Sequence, residues 1–378
     1  MMAVTTAAAT AAAPLDKAIP FSGDRNPSPV PSLPLRTSTP VTTTMTTTSS
    51  SDKEKTMAYA LEQLGAGKDL ANSANILKQA IEAKSEASVA LLTQGGVKHV
   101  VRALEHCADA VSALACVNLA VEVAQIKLQG ELVDEGAGLA LCKLLRTFSG
   151  DARLCESGCK LVRVSSDESR LKSALFVQGC GKACIAALQR HCNDVPLARQ
   201  ALWAMHSLAW CETNKAALMQ HGAGAAVLQA MRSHVDVHVQ HQGCCVVASL
   251  AFAIENRAPL SDLGAGPTVL AAIKAFPKDV DVVKNGAAAL VGLTFEAASK
   301  SPMFNAGAAP VVLSALATHN TNPKVAQHCC LVIANLACEP SLRAPLLDMG
   351  ALALVKAASR LAPKESRNAS YKLGGSRN

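Results

Sequence analysis

The stretch ALMQHGAGAAVLQAM, which runs from Ala217 to Met231, decides the fold of this chain. Gly222 and Gly224 stand at the start of an apolar run with helical spacing. A Gly-x-Gly pair in that position can cradle the phosphates of a dinucleotide. However, GAGAAV lacks the third glycine of that fingerprint, and no strand-like segment precedes the pair. The pattern therefore favours a turn between two helices over a cofactor loop.

The same junction recurs along the chain at a nearly constant interval. Successive glycines at this position lie 41, 43, 43, 42, 43 and 43 residues apart, and they are Gly95, Gly136, Gly179, Gly222, Gly264, Gly307 and Gly350. A fixed period in the low forties is typical of stacked helical repeats. We expect each glycine to end a first helix and to begin a second one. Glycine adopts the left-handed or tight backbone of such a junction at low cost.

A second motif precedes each later glycine and has the pattern of a longer third helix. It reads WAMHSLAW, CVVASLAF, ALVGLTFE and LVIANLAC in four successive repeats. Together with the Gly-Ala junction, it resembles the armadillo-repeat family, most clearly in LVIANLACEPSLRAPLLDMGALALV at 331–355. The resemblance covers about residues 70–361. It implies an all-α, right-handed superhelical solenoid of about seven repeats with helical caps, and HEAT repeats are the nearest alternative.

Changes in composition divide the chain into four predicted segments. Residues 1–51 are rich in Ala, Thr, Ser and Pro and have too little bulky apolar surface to fold, which predicts a disordered tail. An organelle transit peptide is the alternative for this segment. We expect an N-terminal helical cap at 52–86 and the repeat solenoid at 87–361. Residues 362–378 are polar and basic, which predicts a disordered C-terminal tail.

Composition argues against several classes of function. The chain has 378 residues, a net charge of +7 and only 3% aromatic residues, and the tails contribute part of that charge. A nucleic-acid partner is therefore not expected. No apolar run is expected to reach the ~20 residues that span a bilayer. The 14 cysteines fall mostly in apolar helical runs, as in proteins of a reducing compartment. We expect a cytoplasmic protein, with the nucleus and the cytoskeleton as alternatives.

The resemblance implies a binding groove lined by the third helices. In the importin-alpha subfamily, a Trp and an Asn four residues later repeat along this groove. The Trp positions here are Leu114, Cys159, Trp203, Cys245, Ala288 and Leu331, and the Asn positions are Asn118, Arg163, Ser207, Ser249, Gly292 and Asn335. No repeat has both residues, which disfavours a nuclear transport adaptor. The position of Trp203 is consistent with either a groove anchor or a core residue.

Two rows of polar residues are expected beside these positions. One turn earlier lies a partly basic row, consisting of Arg199, His241, Lys284 and Gln327. About one turn later lies an acidic row, consisting of Glu122, Asp167, Glu296 and Glu339. Residues four apart share a helix face, so both rows can line the groove. Such a groove suits a mixed-charge peptide, and the alternative interpretation is a solvated surface.

The sequence predicts no metal site, no cofactor and no enzymatic activity. His234, His238 and His241 have helical spacing, as do Cys155 and Cys159, but the paired CxxC pattern of zinc sites is absent. We therefore interpret them as core cysteines and a solvated histidine cluster. No G-x-S-x-G, H-E-x-x-H or P-loop motif is present.

Protein–protein interaction is therefore the expected function. We expect a non-enzymatic scaffold or adaptor that binds an extended peptide segment of a partner in the concave groove. A structural subunit of a cytoskeletal, ciliary or organellar assembly is the alternative, and a nuclear transport adaptor is a further one. The segment Pro31–Arg36 matches a PxxP-basic pattern, which predicts an SH3-type contact.

Overall fold

A computed structural model of the chain describes residues 50–84 and 86–374. Residues 1–49 of the tail predicted at 1–51, including the SH3-type segment Pro31–Arg36, lie outside the described residues. Within the described ranges every regular element is helical and no β-strand is present. The predicted all-α repeat solenoid is confirmed.

Helices α3 to α23 form seven repeats of three helices each, numbered in chain order. The first helices are α3 (Glu86–Leu91), α6 (Gln129–Asp134), α9 (Ser169–Val177), α12 (Glu212–Gln220), α15 (Ile254–Asp262), α18 (Ala297–Asn305) and α21 (Pro340–Asp348). The second helices are α4 (Val97–His106), α7 (Ala137–Thr147), α10 (Cys180–Arg190), α13 (Ala223–Ser233), α16 (Ala265–Ala275), α19 (Ala308–Thr318) and α22 (Ala351–Ala357). The third helices are α5 (Ala110–Val123), α8 (Ala152–Ser165), α11 (Val195–Ala209), α14 (Val237–Ala251), α17 (Val280–Leu293), α20 (Pro323–Ala337) and α23 (Pro363–Lys372).

Two further helices precede the first repeat. Helix α1 (Ser50–Gly65) packs against the second helix α4, and α2 (Leu70–Glu82) packs against the third helix α5. They therefore occupy the places of a second and a third helix, in the region where the sequence predicts an N-terminal cap. Like the repeats, this pair buries an apolar face against its neighbour.

The helices stack in consecutive layers. Each third helix packs on the third helices of the adjacent repeats, and the second helices stack in the same manner. The third helices contact one another more extensively than the second helices do, as expected for the concave layer that the armadillo resemblance implies. Helix α14 is buried around its whole circumference from Gln242 to Ala251, because α11 and α17 enclose it.

The glycine junctions have the backbone conformation that the sequence predicts. All seven registered glycines have positive φ angles, for example 88° at Gly222 and 91° at Gly136. Gly222 lies just after the C-terminus of α12, has a left-handed backbone conformation and directly precedes α13. Its backbone N–H donates to the carbonyl of Met219 at 2.9 Å, which caps one of the free carbonyls at the end of α12. The interpretation of these glycines as turns is confirmed.

Acidic or amide side chains begin six of the third helices. Each accepts a hydrogen bond from a backbone N–H in the first turn of its helix, and the six residues are Asp109, Asp151, Asp194, Asp236, Asp279 and Asn322. Such a cap satisfies a helix-end donor and contributes about 1 kcal/mol to stability. These residues are 42 or 43 positions apart in the sequence and follow the same period as the glycines.

The C-terminal segment differs from the predicted disordered tail. Residues 363–372 form α23, the third helix of the last repeat, and α23 packs on α20. Ser366, Ala369 and Leu373 are buried at helical spacing, and the Ser366 hydroxyl donates to the carbonyl of Val355 at 2.6 Å. The prediction was wrong because this buried face is built from mostly small residues within a strongly polar sequence. Residues 375–378 lie outside the described part.

One segment is more apolar than the sequence analysis expected. Ala110–Asp134, which comprises α5, an irregular turn and α6, is long and apolar enough to span a membrane by length and composition. It is bent at Ile126 and Lys127, where Lys127 has a φ of 76°. More than half of its most apolar stretch is buried in the protein, and α5 packs between α2 and α8. Burial in the helical stack accounts for its apolar character.

Candidate functional site

Five of the third helices carry partly exposed side chains at recurring positions, and the set is interrupted at α14, where only residues in its first turns are partly exposed. We define the third-helix strip as the partly exposed residues of α5, α8, α11, α17 and α20 that follow one another across the repeats: Leu114, Asn118, Arg163, Arg199, Trp203, Ser207, Lys284, Val291, Gln327, Leu331 and Asn335. Most of the predicted site residues belong to this strip. Its other members are Leu114, Val291 and Leu331, which add apolar surface, and Arg163, whose cationic side chain contacts Trp203.

Trp203 lies at the centre of the strip and is covered by a cation. The guanidinium carbon of Arg163, which is on the neighbouring helix α8, lies 4.3 Å from the centroid of the Trp203 ring. Trp203 is partly exposed, so it is neither a fully buried core residue nor a fully open anchor. A cation at this distance interacts favourably with the face of an indole ring.

The predicted basic row is largely paired with acidic residues. Arg199 donates two hydrogen bonds to the carboxylate of Asp236, at 3.0 and 2.5 Å. Lys284 forms an ion pair with Asp281 at 2.7 Å. The amide of Gln327 donates to Glu365 of α23 at 3.2 Å. The side chains of this row are therefore accompanied by carboxylates of neighbouring residues, and the row does not form a purely basic edge.

Replacing Asp236 with Asn is expected to destabilise the junction between α11 and α14. Burial raises the pKa of Asp236, but the Arg199 hydrogen bond, the Val239 backbone N–H and the Arg199 charge outweigh it, so the net pKa is lowered. A lowered carboxyl pKa stabilises the folded state above the unfolded pKa, and this contribution is lost as the pH falls through the folded value. We expect a loss of about 1–2 kcal/mol at pH 7.

Urea unfolding of the intact protein and of Asp236→Asn checks this expectation at pH 7 and at pH 3. The difference between the two proteins should shrink at pH 3, because the unfolded chain then binds a proton at Asp236 and part of the stabilisation from its lowered folded-state pKa is lost. Asp279→Asn is the matched control for the cap alone, since Asp279 caps α17 through the Val282 N–H. An equal loss in the two variants would show that the Arg199 contact contributes nothing.

Ser249 and Ser207 have different surroundings. Ser249 is buried, and its hydroxyl lies 3.3 Å from Nδ1 of His206. The indole N–H of Trp210 donates to Nε2 of His206 at 3.0 Å. Because an indole nitrogen can only donate, Nδ1 of His206 carries the proton and faces Ser249. Ser249 therefore positions His206 and Trp210, whereas Ser207 is partly exposed on the strip.

The two predicted asparagines also differ. The amide of Asn335 donates to the carbonyl of Val291 at 3.1 Å and to the Thr294 hydroxyl at 3.2 Å, so it joins α20 to the preceding repeat. Asn118 is partly exposed on α5, and its side chain makes no hydrogen bond within the described residues. Asn118 is thus the one of the two whose amide is available to a partner.

Two histidines near the strip are held in the neutral state by their surroundings. Burial, followed by the charge of His241, lowers the pKa of His206 to about 4. Burial also lowers the pKa of His328 to about 4, although its Nδ1 lies 3.1 Å from the Lys284 carbonyl. The predicted site residue His241 is partly exposed, and burial lowers its pKa as well.

An exposed aromatic row lies at the ends of the third helices, and the sequence analysis missed it. Trp210, Phe252 and Phe295 are 39%, 41% and 47% exposed, and we refer to them as the rim aromatics. The ring of Phe295 is covered by Arg257, whose guanidinium carbon lies 4.4 Å from the ring centroid. Predicted Glu296 accepts a hydrogen bond from Arg257 at 3.1 Å. Their spacing of 42 and 43 residues was the signal for this row.

The predicted histidine cluster is divided among different roles. Nε2 of His234 lies 2.7 Å from the carbonyl of Cys192, which belongs to the preceding repeat. His191 and His319 make equivalent contacts at 2.8 Å to the carbonyls of Ser149 and Pro277. These rings join neighbouring repeats. Among the described residues, no group of three or more His, Cys, Asp or Glu side chains has the arrangement of a metal site.

Comparison with solved structures shows the fold. An engineered protein from a structural genomics consortium superposes with a TM-score of 0.71 at 17% identity, over 83% of this chain and 78% of its own. A designed armadillo repeat protein superposes with a TM-score of 0.55 at 16% identity, over 64% of this chain and 99% of its own. Another designed armadillo repeat protein, in complex with the peptide (KR)4, gives a TM-score of 0.55 at 17% identity over the same shares.

Sequence comparison adds no closer assignment. No family model matches the chain, and no curated protein matches it either. The structural similarity extends over most of the described repeats at low sequence identity, so it concerns the arrangement of the helices. The chain is therefore an all-α, armadillo-like repeat solenoid.

Proposed function

We propose that this chain is a non-enzymatic scaffold or adaptor that binds an extended peptide segment of a partner protein along the third-helix strip. The observation that carries the proposal is the strip itself, where polar and apolar side chains of five third helices are partly exposed at recurring positions. Support also comes from the designed armadillo repeat protein of similar fold, which was solved in complex with a peptide.

The dimensions of the stack suit an extended chain. Packed helices lie about 8–10 Å apart, and an extended peptide advances about 3.3 Å per residue. Each repeat therefore meets the peptide about once every three residues. Leu114, Trp203, Val291 and Leu331 offer apolar contacts from four different repeats. Because the stack holds these side chains in place before binding, little conformational entropy is lost.

The ion pairs on the strip favour a peptide of mixed charge. Arg199 is paired with Asp236, and Lys284 is paired with Asp281. A partner that carries both charges can exchange these pairs one for one, whereas a partner of a single charge can satisfy only one member of each pair. This agrees with a protein partner rather than a nucleic acid. The location of such a complex, in the cytoplasm, in the nucleus or on the cytoskeleton, remains a prediction.

A displayed library of random dodecapeptides tests the proposal. Peptides selected on the intact protein are expected to bind a Trp203→Ala/Leu331→Glu double variant at least tenfold more weakly, as measured by fluorescence anisotropy. Both positions are partly exposed on the concave side, so the double variant should remain folded. Removing one aromatic anchor typically costs more than 1 kcal/mol of binding energy.

The matched control changes two exposed apolar residues outside the strip. Leu139→Ala/Val177→Glu alters α7 and α9, where both side chains are exposed. The selected peptides should bind this variant as well as they bind the intact protein. If the control loses as much affinity as the strip variant, or if neither loses any, the proposed groove is not the binding surface.

A structural subunit of a cytoskeletal, ciliary or organellar assembly is the second candidate function. The rim aromatics favour it, because exposed aromatic residues in register suit a permanent lateral interface. This candidate predicts a stable complex that survives the Trp203→Ala/Leu331→Glu change. A nuclear transport adaptor has less support, because no repeat of the chain combines Trp and Asn at the two groove positions.

A further inference from the structure

Arg163 occupies the face of Trp203 that a bound cation would otherwise use. The two residues belong to adjacent third helices, α8 and α11, so their stacking is fixed by the repeat packing. The planar guanidinium lies over the ring at 4.3 Å from the centroid. A guanidinium that stacks by its face keeps its N–H groups at the edge, where they can donate to a planar anion.

The charge of Arg163 has no acidic partner within the described part of the chain. Its Nε is buried and makes no hydrogen bond, and burial is the cause of the lowering of its pKa. By contrast, Arg199 and Arg257 are paired with Asp236 and Glu296. Asp167 follows Arg163 by four residues, but its carboxylate accepts a hydrogen bond from Gln129.

A half-buried cation without an anion is unfavourable, because it has lost water without gaining a counter-charge. An incoming carboxylate would recover that cost and would form strong, charge-assisted hydrogen bonds. A second unpartnered group lies one turn before Trp203: the side-chain oxygen of Gln200 is buried and accepts no hydrogen bond.

We propose that Arg163 and Trp203 form a carboxylate subsite, which takes an aspartate or glutamate side chain of an extended partner segment. The inference rests on the proposed peptide-binding function and adds the charge of the ligand at this repeat. Arg163 supplies the hydrogen-bond donors, and Trp203 holds the guanidinium plane in position. The same stacking excludes lysine and arginine side chains of a partner from this face of Trp203.

Two fluorescent octapeptides, (ED)4 and (KR)4, serve as the probes in anisotropy titrations with the full chain. The intact protein is expected to bind (ED)4 more tightly than (KR)4. Arg163→Gln should weaken the binding of (ED)4 about tenfold, since a charge-assisted hydrogen bond is lost. The same variant should strengthen the binding of (KR)4 severalfold, because it uncovers the Trp203 ring.

Arg153→Gln is the matched control for charge. Arg153 lies on the same helix α8, its side chain is 78% exposed, and its replacement changes the net charge by the same amount. This variant should change the binding of either peptide by less than about twofold. Arg163→Lys should recover part of the (ED)4 affinity, because lysine keeps the charge but loses the planar fork. Circular dichroism establishes that each variant is folded.

Three outcomes would overturn the carboxylate subsite: tighter binding of (KR)4 than of (ED)4 by the intact protein, no binding of (ED)4, or equal losses in Arg163→Gln and Arg153→Gln. The library selection separates this failure from that of the proposed function. A contrary result is a set of selected peptides that depend on Trp203 and Leu331 but carry no acidic residue that is sensitive to Arg163→Gln. That result would support peptide binding along the strip and would contradict the carboxylate subsite.

Discussion

Lowering the pH from 7 to 4.5 is expected to reduce the free energy of unfolding by several kcal/mol, and His206 and His328 account for most of this loss. Both pKa values are lowered to about 4, against an ordinary value of 6.5. Between these values the unfolded chain binds a proton that the folded chain does not. Stability is therefore complete above about pH 6.5 and falls by about 1.4 kcal/mol per pH unit for each histidine.

The structural reason is that protonation of His206 removes a hydrogen bond at the C-terminal end of α11 and places a positive charge in a buried site. A proton on Nε2 of His206 would expel the indole N–H of Trp210, which donates to that atom. The ring is also surrounded by Cys245 and Ser249 of α14 and by the charges of His241 and Lys172, so an added positive charge has no anion beside it. We expect about 2–3 kcal/mol from each histidine at pH 4.5.

Urea unfolding at pH 7.5, 6.5, 5.5 and 4.5 measures this loss in the intact protein and in His206→Gln. The variant can retain an acceptor for Trp210 but has no proton to bind, so its stability should depend less on pH than that of the wild type. This pH range separates the effect of the histidines from that of carboxyl groups with a lowered pKa, such as Asp236. The stabilisation from those carboxyl groups is lost only below about pH 4. Identical pH slopes in the two proteins would contradict the role of His206.

Replacing Gly222 with Val is expected to destabilise the protein by about 2–3 kcal/mol. The φ angle of Gly222 is 88°, a conformation that is unfavourable for L-residues and worst for β-branched ones. No heavy atom lies within 4 Å of the place that a Cβ would take, so the cost arises from the backbone rather than from a clash. The midpoint of urea unfolding at pH 7.5 measures it.

Gly222→Asn is the control that isolates the backbone effect. Asparagine is larger than alanine but tolerates left-handed φ angles, so Asn should cost less than Ala at this position. At Gly224 the order should reverse, because a Cβ there would lie 2.8 Å from the Met219 sulfur and a larger side chain would clash more. If Ala is better tolerated than Asn at Gly222, space and not conformation determines the choice of glycine.

The repeat architecture was readable from the sequence because each period carries the same local signal. Gly222 and its equivalents recur at 41–43 residues, and a left-handed glycine is required wherever a first helix ends directly before a second. The N-cap row that includes Asp194 and Asp236 has the same period and would have located the start of each third helix. Residues 363–372 were misassigned because a short terminal helix needs only a narrow buried face.

The candidate site was predicted in part. The third-helix spacing predicted Trp203 and Asn118 as groove residues, and the structure shows that both are partly exposed. The stacking of Arg163 on Trp203 was not predicted, because it depends on how far one third helix is shifted along the next. That shift is set by packing between residues about forty positions apart, and a helical pattern within one repeat contains no information about it. The pairing of Arg199 with Asp236 escaped prediction for the same reason.

The stacking of each repeat on its neighbour has a consequence for synthesis on the ribosome. Side-chain hydrogen bonds between repeats join residues no more than 45 positions apart in the described part of the chain, as between Gln178 and Val133. A nascent chain can therefore complete one repeat as soon as roughly one further period has emerged from the exit tunnel. Because no early segment waits for a distant partner, its apolar helices are exposed to solvent for only a short part of translation.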